Sequence, residues 1–244
     1  MSARGQGLIH IAGVTDLAEA QLLIACGARY LGLPFVLDRH REDLSIGDAA
    51  AMTSKLAGQA TFFLITYLNK APAIVELCRR LAVDMVQLHG ETSLQQIVQL
   101  KRAAPGVRII KSLIVRGDNE DALMEDVDRY GVSVDAFITD SFDPVTGATG
   151  ATGKPHDWEI SRRLVVSSPR PVILAGGLHP GNVRQAIHVV RPAGVDVHTG
   201  IEGRDGRKRR DLTLRFIAEA NAGFAGIGRG ELLGPSALGA KRTL

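Results

Sequence analysis

Short apolar runs alternate with longer stretches of helical hydrophobic spacing from residue 8 to residue 222. Leu8-Ile9-His10-Ile11-Ala12 is a strand-like run that stops at Gly13. Leu17, Ala20, Leu23 and Ile24 then keep one helical face, with Thr15 ahead of them, Asp16 and Glu19 in the first turn, and Gly27 as the stop. The same alternation recurs seven times. Strands are predicted over 30–33, 61–65, 85–88, 108–112, 136–139, 171–175 and 195–197. The helices that follow them are predicted over 44–56 (with Ser45 as N-cap), 71–81, 93–104, 119–130, 158–166, 181–190 and 211–222. The strands are short and apolar throughout, the pattern of a parallel sheet buried on both faces. Strands separated by helices imply right-handed crossovers. Eight such units predict one α/β domain, a single (β/α)8 barrel of the TIM class over residues 8–222. An open doubly wound sheet is the alternative. It would carry a Gly-x-Gly-x-x-Gly turn after its first strand, where this chain has Ala12-Gly13-Val14-Thr15. Residues 223–244 are rich in glycine and small side chains and are read as a short flexible C-terminal tail.

Composition narrows the function classes. The 244 residues are 45% hydrophobic and 23% charged, ordinary for a globular protein. A formal charge of +3 and an isoelectric point of about 9.0 suit an anionic small molecule. They lack the concentrated positive charge of nucleic-acid binders, so no nucleic-acid partner is expected. No run of about 18 apolar residues and no leader pattern is present, so no membrane partner is expected. Cys26 and Cys78 each lie in a helical apolar pattern without metal-ligand spacing. They read as reduced core thiols, and the protein is expected in the cytoplasm.

In a barrel the chemistry sits at the C-terminal ends of the strands. Side-chain alternation puts His10 and Ala12 on one face of the first strand. Later strand ends offer Gln87 and His89, Lys111, Asp140, Gly176 and Gly177, and His198 with Thr199. Glycines after the seventh and eighth strands (Gly176, Gly177 and Gly200), beside Thr199 and a short helix expected near Ile201-Glu202, predict a phosphate site. The segment 147–154 fails the P-loop pattern: Ala148 stands where the first glycine belongs, and Pro155 follows Lys154. It reads instead as a loop over the site that brings Lys154 toward an anion. Asp140, at the end of an apolar run, is a candidate general acid or base. His10, His89 and His198 are candidate ligands or bases whose plainer reading is as hydrogen-bonded barrel residues. No local spacing makes them a metal site, and none is expected.

These motifs resemble the phosphoribosylanthranilate isomerase family. The matching segments are Val83-Asp84-Met85-Val86-Gln87-Leu88-His89-Gly90-Glu91, Asp140-Ser141 with Thr152-Gly153-Lys154 and Asp157-Trp158, Leu174-Ala175-Gly176-Gly177-Leu178 with Pro180 and Asn182-Val183, and Val195-Asp196-Val197 with Thr199-Gly200-Ile201-Glu202. The resemblance spans residues 8 to about 222 and implies a cofactor-free Amadori rearrangement, an aldose-to-ketose isomerisation of the tryptophan-biosynthesis type. It makes Asp140 the general acid and puts the substrate phosphate at Gly176, Gly177, Thr199 and Gly200. Gln87, His89, Lys154 and an arginine after the second strand, Arg39 or Arg41, would bind the substrate.

One departure stands out. The family reads Lys-x-Cys-Gly-x-Thr at its first strand, with the cysteine as general base. This chain has His10-Ile11-Ala12-Gly13-Val14-Thr15. Ala12 accepts no proton, and the loop 37–43 aligns poorly with the family's carboxylate-gripping loop. The reading adopted is a phosphosugar isomerase, acting as monomer or homodimer on a phosphorylated small molecule, with its base relocated to His10 or His198, whose unperturbed pKa of about 6.5 suits neutral proton transfer. The alternatives are a paralogue acting on another phosphorylated ribose-type substrate and a non-catalytic phosphosugar binder.

Overall fold

A computed structural model describes residues 7–36, 44–143, 148–149 and 157–227. The eight predicted strands are present: β1 (Leu8–Ile11), β2 (Tyr30–Phe35), β3 (Thr61–Thr66), β4 (Met85–Leu88), β5 (Arg108–Val115), β6 (Ala136–Asp143), β7 (Val172–Leu174) and β8 (Gly194–Val197). So are the eight helices: α1 (Leu17–Ala25), α2 (Ile46–Lys55), α3 (Ala71–Leu81), α4 (Leu94–Ala103), α5 (Glu120–Tyr130), α6 (Trp158–Ser167), α7 (Val183–Val190) and α8 (Arg210–Gly226). All neighbouring barrel strands are parallel, and the pairings β1–β8 and β5–β6 close the sheet on itself. Closure excludes the open doubly wound alternative. α8 runs four residues beyond the boundary expected at 222, burying Gly223 and Phe224, so the segment after the barrel begins later than its glycine content suggested.

Two apolar layers hold the barrel. Leu8, Phe63, Met85, Ile110, Ala136, Ile138, Ile173 and Ala175 fill the interior, and Tyr30 packs on them. The opposite strand faces, among them Leu31, Leu64, Val86, Phe137 and Val195, meet the helices in the larger cluster. This double burial is why the strands read as unbroken apolar runs. Phe63 lies at the centre, with its ring stacked 4.2 Å from that of His10. Phe63→Ala is expected to cost about 3–5 kcal/mol of stability in a urea titration. A loss under 1 kcal/mol would mean that the interior collapses to fill the void.

Local signals worked where a side chain satisfies the chain ends. Ser45 caps α2 by accepting from the Asp48 N–H. At α1 the cap is Asp16, which accepts from Glu19 N at 2.8 Å, while Glu19 accepts from the N–H and hydroxyl of Thr15, each at 3.0 Å. Three strands outrun their predicted ends by two residues or more. β2 extends to Phe35, after which Val36 holds φ +56, a forced turn for a β-branched residue. β5 extends to Val115, and β6 to Asp143, whose end pairs antiparallel with the two-residue strand Ala148–Thr149. Lys111 is therefore mid-strand. It pairs in register with Leu88 and Phe137 on the helix-facing side and is bound by the Gly90 and Ser112 carbonyls, each at 3.2 Å. Burial lowers its pKa. The expectation that Lys111 faces the site is overturned: in the longer strand, Ser112 and Ile114 take the inward positions.

Candidate functional site

Closure of β1 on β8 puts His10 in register with Asp196. Their side chains meet inside the barrel, with His10 Nδ1 2.7 Å from Asp196 Oδ1. The contact is close but poorly aligned for a directed hydrogen bond, and neither ring nitrogen of His10 has an aligned partner among the described residues. The imidazole is fully buried, stacked on Phe63. Gly32 of β2 makes room for it, since a β-carbon there would come within 2.8 Å of Nε2.

Asp140 lies on β6, paired with Ile114. It is buried, and its Oδ1 accepts from the Ser141 N–H at 2.8 Å. Loss of solvent, and then repulsion from the Asp196 carboxylate, push its pKa up to about 7, outweighing the Ser141 hydrogen bond. Two carboxyl groups in one low-dielectric space cannot both ionise cheaply. Asp140 thus holds or gives up a proton near neutrality. It stands within the strand rather than at its end, because β6 continues into the antiparallel pairing.

Gln87 and His89 point inward from β4 and its end. Gln87 Nε2 donates to Ser112 Oγ at 3.2 Å, and the same hydroxyl lies 3.2 Å from His89 Nδ1. The His89 ring packs beside Tyr67, 4.8 Å between centroids. His198 follows β8, with Nε2 3.4 Å from Glu202 Oε1. The three histidines therefore face separate partners, and among the described residues no three His, Cys, Asp or Glu side chains gather as a metal site.

The glycine loops after β7 and β8 touch through their backbones. Gly176 and Gly177 hold φ +95 and +63, which favour glycine. Asn182 braces this loop, donating to the Gly177 carbonyl at 2.9 Å and accepting from His179 N at 2.8 Å. Gly200 passes so close that a β-carbon would fall 1.9 Å from the Leu178 carbonyl oxygen. The short helix expected near Ile201-Glu202 is a 3-10 turn over Thr199–Ile201. It starts two residues early, so Thr199 and Gly200 themselves supply its first N–H groups, which have no acceptor within the turn. Anion binding at such a place needs no side-chain charge.

A clamp fixes the β8 loop to the start of α1. Arg207 reaches Thr15 Oγ1 at 2.7 Å, Asp16 Oδ2 at 2.7 Å and Glu19 Oε1 at 3.4 Å. Lys208 donates its backbone N–H to Glu19 Oε1 at 2.9 Å and pairs with Glu202 through its side chain. Gln87, His89, Gly176, Gly177, His198, Thr199 and Gly200 thus lie at or just past the C-terminal ends of their strands and Asp140 within β6, while His10 is buried in the interior against Phe63. Arg39, Arg41 and Lys154 lie outside the described residues. Sequence reading missed Asp196, Ser112 and Glu202. Asp196 was findable, because it shares the inward phase of His198 two residues on.

Residues 11–219 match the family model of N-(5'-phosphoribosyl)anthranilate isomerase. N-(5'-phosphoribosyl)anthranilate isomerase 2 of Methanosarcina mazei is 35% identical over 218 residues, covering 88% of this chain and 95% of that protein. The phosphoribosylanthranilate isomerase of Thermotoga maritima superposes with a TM-score of 0.75 at 27% identity, over 89% of this chain and all of that one. A phosphoribosylanthranilate isomerase solved with reduced 1-(o-carboxyphenylamino)-1-deoxyribulose 5-phosphate superposes with a TM-score of 0.73 at 26% identity, over the same shares.

Proposed function

We propose that this chain, which belongs to the phosphoribosylanthranilate isomerase family, is a phosphosugar isomerase that converts phosphoribosylanthranilate to its 1-amino-1-deoxyketose isomer. Asp140 carries the reading: a buried carboxyl with its pKa pushed up to about 7, on a strand beside the two glycine loops. The rearrangement oxidises C2 and reduces C1 of one molecule, so it needs no cofactor. Asp140 gives its proton to the furanose ring oxygen as the C1–O bond breaks, leaving a Schiff base. A base then removes the C2 proton, and the electron pair forms the C1–C2 double bond of an enolamine. Protonation at C1 and loss of the O2 proton give the ketone. The N–H groups at Thr199 and Gly200, with the glycine turn at Gly176 and Gly177, hold the phosphate. Gln87 and His89 line the opposite wall, and Arg39 or Arg41 and Lys154 complete the substrate contacts. The protein acts in the cytoplasm as a monomer or homodimer.

Ala12 favours a second reading, a paralogue working on another phosphorylated ribose amine. The deciding experiment follows the loss of anthranilate fluorescence with phosphoribosylanthranilate, then with a panel of phosphorylated ribose amines. Turnover of the first is the expected result. Turnover of a panel member alone would establish the paralogue. Ribose 5-phosphate binding without any turnover would leave a phosphosugar binder.

A further inference from the structure

We propose that Asp196 is the base that removes the C2 proton, and that His10 is the residue that positions its carboxylate. The inference rests on the isomerase reading above and moves the base away from both expected places, His10 and His198. Ala12 accepts no proton, so the base must come from another residue. His10 has no accessible surface, and a group so sealed cannot touch a sugar carbon. Asp196 is its register partner across the closing strand pair. It is buried but keeps 9% of its surface accessible, as Asp140 keeps 8%.

Strand register relates Asp196 to the acid. Thr139 of β6 pairs with Leu174 of β7, and Leu174 pairs with Val195 of β8. Asp140, Ala175 and Asp196 are each the next residue along, so they stand at one level on neighbouring parallel segments. One strand separates the two aspartates, which sets their backbones about 10 Å apart, twice the inter-strand spacing. Both side chains enter the barrel. Asp140 shares its face with Ile138 of the interior cluster, and Asp196 meets His10 there. The residue between them contributes only the methyl group of Ala175. The two carboxyls sense each other: after burial, repulsion from Asp196 is the second cause of the pKa of about 7 at Asp140. Such repulsion leaves one carboxyl of a pair holding its proton and the other ionised, which divides the roles of acid and base between them.

His10 holds the carboxylate. Its Nδ1 is 2.7 Å from Asp196 Oδ1, its ring is stacked on Phe63, and Gly32 lies against its Nε2. The imidazole therefore has no room to swing away. Oδ1 is buried against it, with no aligned donor among the described residues. That leaves Oδ2 as the oxygen that can meet a substrate. When the step begins, Asp140 has given its proton to the ring oxygen and C1 belongs to a protonated Schiff base. Asp196 takes the C2 proton, the C–H pair becomes the C1–C2 double bond, and the C=N pair moves to nitrogen. Asp196 then returns the proton to C1 as the O2 proton passes to Asp140. Both carboxyls end as they began, and no co-reactant is consumed.

The test uses the full chain with Asp196→Asn and, should that variant melt early, Asp196→Ala. Turnover of phosphoribosylanthranilate is expected to fall by about 10²–10⁴-fold in either. Inhibition by ribose 5-phosphate should stay within about three-fold of wild type. Added formate should restore part of the rate to Asp196→Ala, whose cavity admits a small carboxylate. Removing the Asp196 charge also lets Asp140 lose its proton at lower pH, so the rate is followed as the pH falls toward about 5. A base role predicts that the deficit persists there. His10→Asn should lower kcat while leaving KM in place. Wild-type turnover in Asp196→Asn would overturn the proposal. So would full recovery of that variant at low pH, which would leave Asp196 acting only through the charge it sets against Asp140. A His10→Asn protein that melts early but keeps its kcat would reduce His10 to core packing and overturn its positioning role. Inactivity of the wild-type protein toward every ribose amine is a separate result, which refutes the isomerase reading itself.

Discussion

Asp140→Asn is expected to abolish isomerisation while making the protein more stable at alkaline pH. The amide cannot give the ring oxygen a proton, so kcat/KM should fall by about 10²–10⁴-fold. The fold loses little, because the asparagine oxygen can still accept the Ser141 N–H that Asp140 accepts at 2.8 Å. Stability moves the other way. The folded carboxyl titrates at about 7, against 3.8 for an ordinary aspartate. Below pH 4 both folded and unfolded chains hold the proton and no penalty exists. Between pH 4 and 7 the unfolded chain releases it more readily, so the penalty on folding grows, and it is complete above 7. Three pKa units correspond to roughly 4 kcal/mol, an upper bound for a site that can relax. The Tm gain of Asp140→Asn over wild type should therefore be larger at pH 8.5 than at pH 5. In the wild type, kcat/KM should decline as pH rises through about 7, when the acid loses its proton. An unchanged kcat/KM in the variant would remove Asp140 from the mechanism, and a pH-independent Tm difference would refute the buried-acid account.

The sign of that trade explains part of the site's design. Asp196 is the second cause of the raised pKa, and it is placed there by the register of the closing strand pair. Its partner His10 sits where the family's resemblance implies lysine. The bare Gly32 leaves the room that this imidazole takes.

The strands were legible because each is buried on both faces, so no solvent-facing polar residues interrupt them. The helices were legible from their 3.6-residue spacing, with α3 matching its expected range of 71–81 although no side chain caps it. Strand ends were not. β5 and β6 run past the point where polar residues begin, because Ser112 and Asp140 face the barrel interior rather than solvent. That error put Lys111 on the wrong face: one residue of phase in a strand reverses its side. Asp140, Gly176, Gly177 and Gly200 were readable as single residues at run ends. The contacts among them were not, since His10–Asp196 and Gly13–His198 exist only once the first and eighth strands meet, some 185 positions apart in a sequence that gives no pairing rule. Glu202 lies four residues beyond His198, a spacing that signals contact in a helix. Here it comes instead from a single 3-10 turn.

Gly200→Ala is the second large effect, and it separates phosphate binding from proton transfer. A β-carbon at Gly200 would fall 1.9 Å from the Leu178 carbonyl oxygen and 3.0 Å from His179 Cβ. The first neighbour is backbone, held in a loop braced by Asn182, so it cannot swing aside. One of the two glycine loops must move, and the N–H groups at Thr199 and Gly200 lose their common aim. Displacement of about 1 Å at a positioning group can cost 10²-fold in rate. Ribose 5-phosphate affinity and kcat/KM should therefore fall together by at least about 10²-fold. Gly27→Ala is the control. Gly27 also has a positive φ, +99, but no atom within 4 Å of an added β-carbon. Its substitution should cost about 1–2 kcal/mol of stability from backbone strain alone and leave ribose 5-phosphate binding untouched. If Gly200→Ala bound ribose 5-phosphate as tightly as wild type, the phosphate would have to sit elsewhere on the barrel.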